Sequence, residues 1–163
     1  MSKKLENNGL WESSRMMLPQ HKEAVQNRRN DKPIGPSRPT TEEIELMRDS
    51  ILLPIMHSII IKKAREVENS SETLKLLYSR VAHALAKNIH TDLSKVKRCL
   101  LEKSIRVFED EKDDLMVRYR YICREYEESF TITRDYMRAE ISMRIGRYAE
   151  SIVATVYGKM SVE

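Results

Sequence analysis

Between Thr40 and Met160 apolar residues return every three or four positions, the interval that lines up one face of an α-helix, and four segments follow it. The first, TTEEIELMRDSILLPIMHSIIIKKAREVEN, opens with a Thr N-cap and acids in its first turn, which the positive end of the helix dipole favours. Ile44, Met47, Ile51, Ile55 and Ile59 form its stripe. Residues 51–61 are so apolar that this helix is expected to run through the middle of a bundle, although the run is too short to span a bilayer. Pro54 is expected to kink or divide it.

The second segment, SSETLKLLYSRVAHALAKNI, starts at a Ser cap and carries Leu74, Leu77, Tyr78, Val81, Leu85 and Ile89 on one stripe. In the third, residues 91–130, Leu101, Ile105, Phe108, Lys112, Leu115, Tyr119, Ile122 and Tyr126 follow alternating steps of four and three. That spacing predicts one long helix packed coiled-coil fashion against a neighbour in the same chain or a second copy, which leaves a homodimer open. Lys112 interrupts the apolar set inside EDEKDD, where the helix is expected to break or to project from the bundle. The fourth segment, capped by Thr133, sets Met137, Ile141, Ile145, Tyr148, Ile152, Val156 and Met160 on one face. No strand-like alternation of useful length and no Asn-Gly turn pair is read. The predicted fold is therefore all-α, a four-helix-type bundle with a long heptad-like helix, preceded by a short N-terminal motif and a Pro-rich linker.

All five prolines fall between Pro19 and Pro54, and QNRRNDKPIGPSRPT has the composition of a linker, which divides residues 1–40 from a helical body at 41–163. The 163 residues carry a net charge of +4. The excess lies before the body, where lysine and arginine balance aspartate and glutamate. An amino end with two lysines and no apolar run behind them is not a secretory signal, so a cytoplasmic protein is expected.

Candidate chemistry changes this picture little. Cys99 and Cys123 fit neither zinc nor a disulfide framework and read as packed thiols. His21, His57, His83 and His90 form no metal-ligand spacing, and no glycine-rich phosphate loop occurs. No cofactor, metal site or catalytic set is expected, and the chain reads as a non-enzyme. Glu109 with Asp113, and Asp110 with Asp114, read as acids on a solvated helix face. Arg118, Arg120 and Arg124 with Tyr119, Tyr121 and Tyr126 resemble a strip for phosphates, but interleaved acids weaken that reading, because counterion release needs a clear basic excess.

The stretch LWESSRMMLPQHKEAV is different, since Trp11, Met16, Met17 and Leu18 offer more apolar surface than a tail in water needs. Composition leaves two readings even: the segment caps its own bundle, or it docks on another protein with Trp11 as anchor. These residues also resemble the amino-terminal signature of the YolD-like family of Gram-positive bacteria and their phages, a Trp followed by a Met-Leu-Pro-Glu-His core. The matching positions are Trp11, Arg15, Met16, Met17, Leu18, Pro19, His21, Glu23 and Ala24, then Arg38, Pro39, Glu42, Glu43, Ile44 and Glu45, so the resemblance covers about residues 10–60. Gln20 stands where the family has an acid, and residues 62–163 read as helix where the family continues into a small β-rich domain. The resemblance implies a non-enzymatic accessory protein of the DNA-damage (SOS) response, encoded beside a Y-family translesion DNA polymerase. Trp11, Arg15, Met16, Met17, Leu18, Pro19 and His21 are then the partner-binding residues. The alternative is a phage-derived helical nucleic-acid-binding or transcription-regulating protein, with Arg28, Arg29, Lys32 and Arg38 on phosphates. Neither reading calls for a membrane.

Overall fold

The structure, a computed structural model, describes residues 37–160. Two long helices, α1 (Thr41–Glu68) and α2 (Lys75–Glu102), form a hairpin. They are followed by strands β1 (Ile105–Lys112), β2 (Met116–Cys123) and β3 (Tyr126–Thr133), then by helix α3 (Arg134–Met160). The strands make one antiparallel sheet in the order β1-β2-β3. The fold is thus mixed α/β, and the expected all-α four-helix-type bundle is overturned by the meander at 105–133.

The helical hairpin follows from its ends and its stripe. Thr40 caps α1 in a reciprocal box: its hydroxyl accepts from the Glu43 N–H at 3.3 Å, and its own N–H donates to Glu43 Oε2 at 2.9 Å. Pro54 lies within α1 without dividing it. Met47, Leu52, Met56 and Ile60 of α1 pack with Leu85, Ile89, Leu93, Val96 and Leu100 of α2. The stripe of the second segment therefore continues through residues 91–102 in a single helix. No side chain caps α2 at Leu74, so the expected Ser cap is not used, and Leu74, Leu77, Tyr78 and Val81 are exposed.

At Ser104 the chain enters the left-handed region, φ 55°, and α2 ends. Beyond it, period two replaces period three and a half. Val117, Tyr119, Tyr121 and Cys123 are buried while Arg118 and Arg120 are exposed, the alternation of a strand with one covered face. Of the apolar positions that suggested a long helix, only Ile105 and Tyr119 are buried, whereas Leu101 and Leu115 are 80% and 73% exposed. A helix there would have put this set on one face. The paired carboxylates expected on a helix lie instead in β1 and the turn after it, with Glu109 and Asp110 in the strand and Asp113 and Asp114 beyond it.

The covered sheet face meets the helices through two adjoining clusters. Ile51 of α1 packs with Val117, Tyr119 and Ile132, while Ile105, Tyr121 and Cys123 join the helical core together with Ile141 of α3. Thr133 caps α3, accepting from the Tyr136 N–H at 3.3 Å. Among the described residues no helix is long and apolar enough to cross a membrane.

Candidate protein-docking edge

The two outer strands of the sheet differ in how they meet solvent. An outer strand leaves every second backbone N–H and C=O without a ladder partner, and natural sheets blunt such edges with charge, bulges or proline. β1 does so: five of its eight residues, IRVFEDEK, are charged, and its register breaks in a bulge between Glu109 and Glu111. β3 does not. Its register with β2 is unbroken from Cys123↔Tyr126 to Met116↔Thr133, its only charges are Glu127 and Glu128, and it ends in the uncharged run Ser-Phe-Thr-Ile-Thr. Among the described residues no backbone group outside β2 pairs with it.

A groove of about 470 Å³ runs beside β3. Ile44 and Met47 of α1, Phe130 and Ile132 of β3, and Tyr136 of α3 give it an apolar floor and wall. Glu128 stands toward the β2–β3 turn and Arg48 further along α1, so its ends have opposite charge. Tyr119 and Tyr121 pack against Phe130, at ring centroid distances of 5.7 and 5.9 Å. Glu128 accepts from the hydroxyls of Tyr126 at 2.9 Å and Tyr121 at 3.0 Å, and these bonds lower its pKa. Burial, together with the hydrogen bond to Glu128, raises Tyr121 to about 12, so its hydroxyl remains a proton donor at neutral pH.

The position of β3 is set by the turn before it. Arg124 and Glu125 both have positive φ, 48° and 74°, as a two-residue hairpin of this hand requires, yet neither is Gly, Asn or Asp. Each such residue costs about 1–2 kcal/mol. Arg124 offsets this by donating to both oxygens of Glu43, at 2.7 and 3.0 Å. Lys103 adds a second cation 3.7 Å from Glu43 Oε1. The Glu43 carboxylate is 5% exposed, and the bonds from Arg124, opposed by burial and helped by the Thr40 N–H, lower its pKa to about 2. One acid thus caps α1 and fastens the turn that presents β3.

Two further surfaces carry charged side chains. The open sheet face carries Arg118 and Arg120 but not Tyr119 or Tyr121, which point into the core, so the suspected basic-aromatic strip is split between opposite faces. Phe108, read from the sequence as a position on a helix stripe, is its exposed ring, with the Arg120 guanidinium 5.7 Å from its centroid. Arg118 and Arg120 pair with Glu111 and Glu127 at 3.6 and 3.1 Å. Between the three helices a polar cleft of about 690 Å³ holds Asp49, Asp92, Glu140, Arg144 and Tyr148. Arg144 binds Asp49 and, at 2.8 Å, Glu140, while Tyr148 donates to Asp92 at 2.7 Å; these contacts fasten α3 to both helices of the hairpin. Burial and the Asp92 carboxylate raise the Tyr148 pKa. Burial likewise raises the Cys123 thiol, which keeps it protonated within the core. Among the described residues no group of three or more His, Cys, Asp or Glu is placed to hold a metal ion.

Of the residues selected from the sequence, Trp11, Arg15, Met16, Met17, Leu18, Pro19, His21, Arg28, Arg29 and Lys32 lie outside the described residues. Arg38 lies within them, its guanidinium 5.9 Å from the centroid of the Tyr126 ring at the turn end of β3. The groove residues and Glu43 as the anchor of a turn had no local signal. The strand alternation of residues 117–123 was the available clue.

Fold and edge define a class: an α-hairpin, a three-stranded meander and a packing helix, with one guarded sheet edge and one left open among the described residues. A family model described as YhjD protein matches residues 38–153, most of the chain and nearly all of this domain, so the chain belongs to the YhjD family. It is similar to "Uncharacterized protein YhjD" of Bacillus subtilis (strain 168), with 26% identity over 108 residues, 66% of this chain and 90% of that protein. No solved structure matches.

Proposed function

We propose that this chain is a non-enzymatic interaction protein that acts in the cytoplasm by joining protein chains, with the β3 edge and its groove as the docking surface of the body. The unguarded edge carries the reading: eight regular strand residues beside an apolar groove offer main-chain hydrogen bonds for affinity and side-chain pockets for selectivity. Trp11, Arg15, Met16, Met17, Leu18, Pro19 and His21 form a second docking element in this proposal, with Trp11 as its anchor. The resemblance of that element to YolD-like proteins supports a partner in the DNA-damage response, a Y-family translesion polymerase. The test is calorimetric titration of the full chain with a bacterial Y-family polymerase. Trp11→Ala with Leu18→Ala is expected to weaken binding at least tenfold and leave the circular dichroism melt unchanged. Binding that is absent, or indifferent to this pair of changes, removes the polymerase as the partner of that element.

A second reading, nucleic-acid binding, draws on Arg106, Phe108 and Arg120 of the open face together with Arg28, Arg29, Lys32 and Arg38. Retention on single-stranded DNA that falls steeply with salt, and that Phe108→Ala diminishes, would favour it.

A further inference from the structure

The open edge is complementary to itself. In a two-residue hairpin the residues flanking the turn form a hydrogen-bonded pair, so Tyr126, Glu128, Phe130 and Ile132 face β2 with their backbone groups. Glu127, Ser129, Thr131 and Thr133 then turn theirs outward. An antiparallel two-fold axis at Phe130 sets Ser129 against Thr131 of the second copy and Glu127 against its Thr133. Both are pairs of outward-facing residues, and together with their symmetry mates they supply about eight backbone hydrogen bonds, two per pair. Phe130 meets its own copy on the groove side, at the non-hydrogen-bonded position where side chains approach most closely.

Charge favours the same alignment. Glu127 and Glu128 lie at one end of the strand, so reversal sets them opposite Thr133 and Ile132 rather than opposite each other. The acidic end of each groove also comes to the end of the other where Arg48 stands, a cation with no ion pair among the described residues. A parallel arrangement would stack the four glutamates. β1 offers no equivalent, because its bulge and mixed charges break any such register.

We infer that the occupant of the β3 edge is a second copy of this chain, joined strand to strand in a continuous six-stranded sheet. This rests on the docking reading of β3. A dimer of this kind carries two Trp11 elements, so a partner with two binding positions gains avidity without a new contact.

Sedimentation velocity of the full chain across a concentration series is expected to show a species of twice the 19.2 kDa chain mass. Thr131→Pro removes one outward N–H, a change an edge strand tolerates, and should raise the dimer dissociation constant at least tenfold. Ser129→Lys with Thr131→Lys should do the same by setting like charges in each facing pair, which covers the case in which the proline variant fails to fold. A wild-type chain that stays monomeric, or a dimer that both folded variants leave intact, overturns the inference. Hydrogen exchange separates the two layers. If the chain is a monomer whose Ser129 and Thr131 amides become protected on addition of the polymerase, β3 docks a foreign chain and the second copy is discarded. If those amides stay unprotected alone and in the mixture, the docking reading falls as well.

Discussion

The β1–β2 turn is held mainly by its own neighbours, with Arg134 at the start of α3 adding a contact 21 positions away. Asp113 Oδ1 accepts from the N–H groups of Leu115 and Met116 at 2.6 and 2.8 Å, and Arg134 Nε donates to the Asp113 carbonyl at 2.8 Å. The β2–β3 turn is held from a distance. Its guanidinium reaches a carboxylate 81 positions earlier, at the start of α1, and its backbone adopts a conformation that its residue types disfavour. An Asx turn of the first kind can form in a short peptide, since the side chain mimics a backbone turn. A left-handed Arg-Glu pair persists only where the surrounding fold holds it. The groove and open edge follow the second turn, so the surface proposed to dock other chains depends on a contact between residues 81 positions apart.

Removing that device should have the largest effect. Glu43→Gln keeps a similar shape and leaves Arg124 facing a neutral amide, and is expected to lower stability by about 3 kcal/mol, as when one partner of a buried ion pair is deleted. Urea unfolding gives the number, and a loss below about 1 kcal/mol would reduce the contact to an ordinary surface pair. Hydrogen exchange in this variant should rise in β3 and in the first turn of α1 together, since one carboxylate serves both.

The same contact predicts an acid limb. The folded-state pKa of Glu43, about 2, lies below its ordinary 4.5, so the ionised acid contributes stability that is fully present above 4.5 and is lost as pH falls through about 2. The difference corresponds to roughly 3 kcal/mol. Between pH 4.5 and 2 the unfolding free energy of the wild type should therefore fall more steeply than that of Glu43→Gln. Parallel curves would show that Arg124 does not hold the carboxylate. Glu68, Asp92 and Glu128, also lowered by hydrogen bonds, steepen both curves alike.

The same division explains what could be read in the sequence. The Thr40 cap, the Thr133 cap and the stripe Met137, Ile141, Ile145 were legible because each is fixed by residues within a turn or two. Residues 105–133 misled because Ile105, Phe108, Leu115, Tyr119, Ile122 and Tyr126 satisfy a heptad while being β-branched or aromatic in all but one case, which suits strands. The true alternation, Val117, Tyr119, Tyr121 and Cys123, occupies one strand only; β1 is broken by a bulge, and half of β3 is polar on both faces. The second turn carries no glycine or asparagine to announce it. Its cause is Glu43, which from local sequence reads as a first-turn acid and nothing more.

Glu125→Gly should act in the opposite direction. Glycine adopts φ 74° without the side-chain clash, and after its greater freedom in the unfolded chain is subtracted the gain is about 0.5–1 kcal/mol. A stabilised variant would show that the turn conformation is imposed by the fold rather than preferred by its residues. A destabilised one would mean that Glu125 makes its own contribution, and the contrast between the turns would weaken.

The smallest effect belongs to the local turn. Asp113→Ala removes the acceptor shared by two N–H groups, but the site is open to water, which replaces it, so the loss should be well below that of Glu43→Gln. Asp113→Asn retains the Oδ1 acceptor and should lie close to the wild type. Location separates the turns better than size: in Asp113→Ala, faster amide exchange should be confined to Leu115, Met116 and the adjoining ends of β1 and β2, with β3 and its groove unchanged. If exchange also rises across β3, the two turns are one cooperative unit, and the open edge can be loosened from either end of the meander.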